Sequence, residues 1–154
     1  MRFFFAFLLV AACAGPATVV NDWTGAVTRV SDEHEVFREG QGRMSVRAAT
    51  ITLDGRKLWG VLTSVRRTGP NAPRVQRVES GPTPLAYQRL DRLFTHCLDR
   101  CQRAETGFVS LSQAAFSAAG RTGLPLRVTG RRGRYEGTVP ARAFGQLIPP
   151  AGAQ

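Results

Sequence analysis

The chain of 154 residues carries 21 lysine and arginine side chains against 11 acidic ones, a formal net charge of +10, with 43% hydrophobic residues. That length supports one domain whose core needs no metal or disulfide staple. The charge points to an anionic partner, phospholipid, lipopolysaccharide or nucleic acid, although Lys57 is the only lysine and a GC-rich genome writes an ordinary solvated surface in arginine too.

Taken in chain order, residues 1–12 read as a secretory signal: a positive charge at Arg2, an apolar run from Phe3 to Val10, then Ala11 and Ala12. The run is too short for a transmembrane helix, which needs about 20 apolar residues. Val10-Ala11-Ala12-Cys13 resembles the lipobox of bacterial lipoprotein precursors. In that family the cysteine is S-diacylglycerated, the signal is cut just before it, and the new amino terminus is usually acylated. The resemblance therefore implies that Cys13 is the lipidated first residue of the mature protein. With Ala14 in second place, it also implies sorting to the outer membrane, facing the periplasm. Ala12-Cys13-Ala14 equally fits cleavage after Ala14 and release of a soluble periplasmic protein. Removal of residues 1–12 takes away Arg2 and no acid, so the mature chain keeps 20 basic and 11 acidic side chains. Residues 13–22 then form a short tether, 23–148 a single domain, and 149–154, beginning Pro149-Pro150, a flexible tail. The several acyl chains that the resemblance implies would hold that domain at a bilayer, since two chains already bind stably.

Thr24 to Val30 reads as a short strand, followed by the acidic patch Asp32-Glu33-His34-Glu35 and the Gly40-Gln41-Gly42 loop. Met44 to Leu53 and Lys57 to Arg67 are β-rich and flank Asp54-Gly55, a hairpin signal. Trp59, Val61 and Val65 share one face of the second strand and Leu58 and Leu62 the other, so that strand should be central and covered on both sides. Arg74 to Glu79 suits a further strand. The period then changes. Thr83-Pro84 has the form of a helix start, and Ala86, Leu90, Leu93, Phe94, Cys97, Leu98 and Cys101 recur at helical spacing. Arg89, Asp91, Arg92, Asp99, Arg100 and Arg103 fall opposite them, which predicts an amphipathic helix ending near Gly107. Ser110 and Gln113 suit a capping box for a second helix through Leu111, Ala114, Ala115 and Phe116, stopped by Gly120. Leu124 to Thr129 and Arg134 to Val139 form a hairpin around Gly130-Arg131-Arg132-Gly133, and Pro140 opens a last short helix through Ala143, Phe144 and Leu147. The pattern predicts an α+β fold: an antiparallel sheet of about five to six strands, two central helices packed on it, and a short C-terminal helix.

Cys97 and Cys101 invite a disulfide in an exported protein. On a regular helix, however, residues four apart hold their Cβ atoms about 6 Å apart, against the 3.5 to 4.5 Å or so a disulfide needs. A reduced buried pair and a local disulfide are both open. A metal site from His96, Cys97 and Cys101 lacks a fourth ligand, and on a helix His96 points about 100° away from Cys97. His34-Glu35-Val36-Phe37-Arg38 begins like a zinc-protease motif, but Arg38 stands where the second histidine belongs. Asp32 and His34 could flank a cation, although a solvated acidic loop explains them as well. No nucleophile elbow, phosphate loop or dinucleotide fingerprint is present, so no cofactor, metal site or catalytic residue is assigned.

Arg131, Arg132 and Arg134, beside Tyr135, are the best candidates for contact with an anionic surface. The expectation is a non-catalytic binding or accessory lipoprotein of the cell envelope. It would be held to the membrane through Cys13, with anionic phospholipid, lipopolysaccharide or an envelope protein as partner; the export signal argues against nucleic acid. The rival is a lipid-anchored enzyme using carboxylates brought together by the fold.

Overall fold

The computed structural model describes residues 16–20, 25–69, 72–90, 94–97 and 101–148, with the backbone alone for 94–97, 101 and 102. The predicted signal, Cys13 and the tail 149–154 lie outside the described residues.

The strongest local signal, Asp54-Gly55, forms a two-residue turn with both residues at positive φ (49° and 73°). That conformation matches the twist of a hairpin. It joins β4 (Gly42–Leu53) to β5 (Arg56–Thr68) in register from Leu53 opposite Arg56 back to Gly42 opposite Arg67. Around this hairpin a larger antiparallel sheet runs in the order β1 (Ala17–Val20), β2 (Val27–Val30), β4, β5, β10 (Cys101–Leu111), β8 (Tyr87–Arg89). β3 (His34–Glu39) also pairs with β4, and β9 (Phe94–Cys97) with β10. A second sheet is ordered β12 (Gly133–Val139), β11 (Leu124–Gly130), β6 (Val75–Ser80), β7 (Thr83–Leu85).

The two sheets pack face to face because each presents an apolar row inward. Met44, Val46, Ala48, Val61, Val65 and Val109 of the larger sheet share a core with Val75, Val78, Leu126, Val128, Tyr135 and Val139 of the smaller. Two short helices, α1 (Gln113–Thr122) and α2 (Ala141–Gly145), close one end of this sandwich through Phe116, Phe144 and Leu147. Phe116 lies 5.0 Å, centroid to centroid, from both Trp59 and Phe144.

This architecture overturns the α+β expectation. The long helix predicted from Thr83 to Gly107 is instead β7, β8, β9 and the first part of β10. Thr83-Pro84 is no helix start: Pro84 sits on the edge strand of the smaller sheet, where its missing N–H costs no ladder bond. Gly107 is no terminator either. It lies mid-strand, and a Cβ there would fall 2.2 Å from ring atoms of Tyr87, so the glycine makes room for the aromatic ring. The second predicted helix exists but begins later. Ser112, not Ser110, is the N-cap, accepting from the Ala115 N–H at 3.1 Å, and Gly123 at φ 76°, not Gly120, ends it.

β5 is central in the sheet, between β4 and β10, as the two-sided apolar pattern predicted. Its outer face is only partly covered: Leu62 packs beside Phe108, while Leu58 is 53% exposed. Among the described residues no helix is long and apolar enough to cross a membrane.

Candidate anionic-surface contact

Strand register sets the rows of side chains across β4, β5 and β10. On the face toward the second sheet the successive rows are Ala48, Val61, Val109; then Val46, Thr63, Gly107; then Met44, Val65, Glu105; then Gly42, Arg67, Arg103. On the outer face they are Ala49, Gly60, Ser110; then Arg47, Leu62, Phe108; then Ser45, Ser64, Thr106; then Arg43, Arg66, Ala104. Both faces therefore end in arginine at the same end of the sandwich. It is the end opposite α1 and α2, because α1 follows the far end of β10 and α2 the far end of β12.

The second sheet adds to this end. The β11–β12 turn carries exposed Arg131 and Arg132, closed by Gly130 opposite Gly133, as the sequence predicted. It is tied down by its backbone: the Arg131 N–H donates to the carbonyls of Pro73 (3.1 Å) and Arg74 (3.0 Å). From the other sheet, Arg67 Nη1 donates to the Arg132 carbonyl at 3.0 Å. Arg74 thereby joins the cluster, and so does Arg67.

Two features mark this cluster as more than scattered charge. Arg43 stands directly opposite Arg66 and Arg67 opposite Arg103, and like charges at directly opposed strand positions are destabilising. In addition, Arg103 Nε is shut off from solvent and has no hydrogen-bond partner among the described residues.

Arg134, predicted to act with Arg131 and Arg132, is drawn away from them. It pairs with Glu136, as does Arg127, and the two guanidinium groups hold the Glu136 carboxyl below its usual range, the Arg127 hydrogen bond foremost. Tyr135 beside it is 1% exposed and packs edge-on against Phe37.

Three further glutamates each pair with an arginine. Glu35 pairs with Arg38, Glu79 with Arg77, and Glu33 with Arg47. The Glu33 carboxyl is held low by the Ser45 hydroxyl first and then by Arg47, against a partial burial that works the other way. Glu33 and Arg47 border a groove of about 160 Å³ on the outer face, with Ser45, Leu62, Ser64 and Arg66.

Glu105 is fully buried and accepts three bonds: from the Val75 N–H (3.1 Å), the Tyr87 hydroxyl (3.2 Å) and Arg89 Nε (3.0 Å). It thus links β10 to both the second sheet and β8. Burial, reinforced by the Glu105 charge, pushes the Tyr87 hydroxyl well above its ordinary value, so Tyr87 stays a donor.

The acidic patch 32–35 begins in the loop between β2 and β3 and runs into β3. Asp32 is clamped by Gln146, donating its N–H to Oε1 (3.0 Å) and accepting from Nε2 (2.9 Å), and His34 belongs to β3 opposite Val46. Among the described residues, no three His, Cys, Asp or Glu side chains gather as a metal site would require. Cys97 and Cys101, predicted to share a helix face, stand opposite each other on β9 and β10.

Part of the arginine end was within reach of the sequence, since counting back from Asp54-Gly55 sets Arg43 against Arg66. Arg103 was hidden because its segment reads as helix. No family model, no curated protein and no solved structure matches the chain.

Proposed function

We propose that this chain is a lipid-anchored protein of the bacterial cell envelope, facing the periplasm from the outer membrane. In this reading it is a non-catalytic binding or accessory module whose arginine end contacts an anionic surface, phospholipid or lipopolysaccharide. The observation that carries the reading is the convergence of Arg43, Arg66, Arg67, Arg74, Arg103, Arg131 and Arg132 on one end of the sandwich. Each arginine near an anionic membrane contributes about 1 kcal/mol, so a handful suffices to orient a tethered domain.

The path into β1 sets where the anchor would join the domain. Ala17 pairs with Val30, and Val20 with Val27, which itself faces Thr52 near the helical end. β1 therefore runs away from the arginines, and the chain enters it at Ala17, level with Ala49 and six positions along β4 from Arg43. Cys13 precedes Ala17 by four positions, so it lies within about 14 Å of it along the chain.

The rival enzyme would need carboxylates facing one another. Among the described residues, Glu33, Glu35, Glu79, Glu105 and Glu136 each face an arginine instead, and these five support the binding module.

Two measurements test the reading. Intact mass of the protein from a bacterial membrane fraction should show acyl groups on a chain beginning at Cys13, and an unmodified chain in Cys13→Ser. A chain beginning at Gly15 would replace the anchor with a soluble periplasmic form, and one retaining Met1 would end the export reading.

For the surface, Arg131→Glu with Arg132→Glu should weaken binding of the Cys13→Ser chain to phosphatidylglycerol vesicles by at least about 30-fold, the equivalent of two lost contacts. The charge-matched control is Arg56→Glu with Lys57→Glu, beside the β4–β5 turn at the other end. Equal losses in the two pairs would mean that net charge alone, not the arginine end, drives binding.

A further inference from the structure

We infer that Cys97 and Cys101 form a cross-strand disulfide that closes the β9–β10 hairpin. The inference rests on backbone register and is independent of the lipid anchor. Cys97 is directly opposite Cys101, followed by His96 opposite Gln102, Thr95 opposite Arg103 and Phe94 opposite Ala104. Directly opposed residues of an antiparallel pair hold their Cα atoms about 5.5 Å apart at a hydrogen-bonded position and about 4.5 Å at the alternative one. Either value lies inside the range of about 4.4 to 6.8 Å that a disulfide spans. The objection from helical spacing disappears with the helix.

Placement in the sheet gives the bond a purpose. β9 is four residues long and its strand partner is β10. An edge element of that size has little of its own to hold it, and three residues separate the two cysteines in the chain. A bond at the pair nearest the loop fixes β9 against the segment of β10 that carries Arg103, the residue flanked by Thr95 on one side and Arg67 on the other. The arginine end is then bounded by a covalently closed hairpin.

The chemistry is thiol–disulfide exchange. One thiolate attacks a small-molecule or protein disulfide and releases one of its sulfurs as a thiol; the second thiolate then attacks the mixed disulfide and releases the other. Cys97 and Cys101 together lose two protons and two electrons, and the oxidant gains them as two thiols.

The test is a peptide map of the full chain with Cys13→Ser, equilibrated with oxidised and reduced glutathione, quenched with alkylating agent and digested without reduction. Trypsin cuts after Arg92, Arg100 and Arg103, so the disulfide predicts residues 93–100 linked to residues 101–103, or an uncut 93–103 peptide lighter by the two thiol hydrogens. Reduction before alkylation should convert either species to peptides with both cysteines alkylated. Cys97→Ser should abolish the linked and lightened peptides, leaving Cys101 either alkylated or carried as a mixed disulfide with glutathione. Separate alkylation of both cysteines in the oxidised wild-type sample would overturn the proposal, and so would a linkage between two chains.

Discussion

Glu105→Ala tests how the two sheets are held together. The carboxylate has no exposed surface and serves three donors, of which the Val75 N–H is buried and the Tyr87 hydroxyl part-buried. Leaving a buried donor unpaired costs about 1–3 kcal/mol each. Arg89 is 47% exposed on its side chain and can turn to solvent, so its share is at most about 1 kcal/mol. Relief from burying a charge offsets part of this, and the cavity left by the shortened side chain adds to it. The expected loss is about 3–5 kcal/mol, or a fall in Tm on the order of 12–20 °C for a domain of this size. Glu105→Gln retains the shape and one acceptor oxygen, and about half the loss is expected. Urea denaturation followed by tryptophan fluorescence reads the effect, because Trp59 reports from the Phe116 contact at the helical end. A loss under about 1 kcal/mol for Glu105→Ala would refute the claim that these hydrogen bonds join the sheets.

Two further outcomes follow from the same packing. A methyl at Gly60 would lie 2.2 Å from the Val109 carbonyl oxygen and 2.5 Å from the Phe108 ring, so Gly60→Ala must push neighbouring backbone. It should cost at least about 2 kcal/mol by the same denaturation assay, and wild-type stability would show that β5 and β10 can separate freely. His34 is held below its ordinary pKa by burial first and by the Arg142 charge second, with Asp32 opposing. The unfolded chain therefore takes up the proton more readily. The contribution of the neutral imidazole is complete above the unfolded value of about 6.5 and is lost as pH falls from there through the lowered folded value. His34→Gln should flatten the fall in Tm between about pH 7.5 and pH 5; an unchanged slope would assign that fall to other groups.

The sequence revealed the hairpins because their turns carry local chemistry. Asp54-Gly55 reaches positive φ, and Gly130 and Gly133 bracket an arginine turn, so both pairings follow from short range. From Thr83 to Leu111 the signal failed for a different reason. The inward row of β10 holds Arg103, Glu105, Gly107 and Val109, and the outward row holds Phe108, so strict alternation of apolar and polar residues is absent. What makes Glu105 an interior residue is Val75, 30 positions away, together with Tyr87 and Arg89. No window along the chain contains that information. In the acidic patch, Asp32 and Glu33 do lie in the loop before β3, but the tie that holds Asp32 was out of reach for a similar reason: its partner is Gln146, 114 positions away. Of the candidate surface, Arg131 and Arg132 were legible as a turn, whereas Arg74 and Arg103 join them only through the stacking of the two sheets.

An arginine-rich composition would spread charge over every row if it were only a substitute for lysine. The rows across β4, β5 and β10 do otherwise. Moving toward the arginine end, the inner face passes from valine and alanine, through a single buried carboxylate, to Gly42, Arg67 and Arg103. The outer face passes from Leu62 and Phe108, with Arg47 paired to Glu33 beside them, through three hydroxyls to Arg43 and Arg66. Two opposed arginine pairs then meet a turn whose cohesion comes from backbone hydrogen bonds to Pro73 and Arg74. Apolar packing by Phe116, Phe144 and Leu147 is concentrated at the other end, where it can stabilise the sandwich without the arginines. The fold thus places this apolar packing and the opposed arginine pairs at opposite ends of the sandwich. An anionic partner at the arginine end would relieve the like-charge opposition that the free domain has to tolerate.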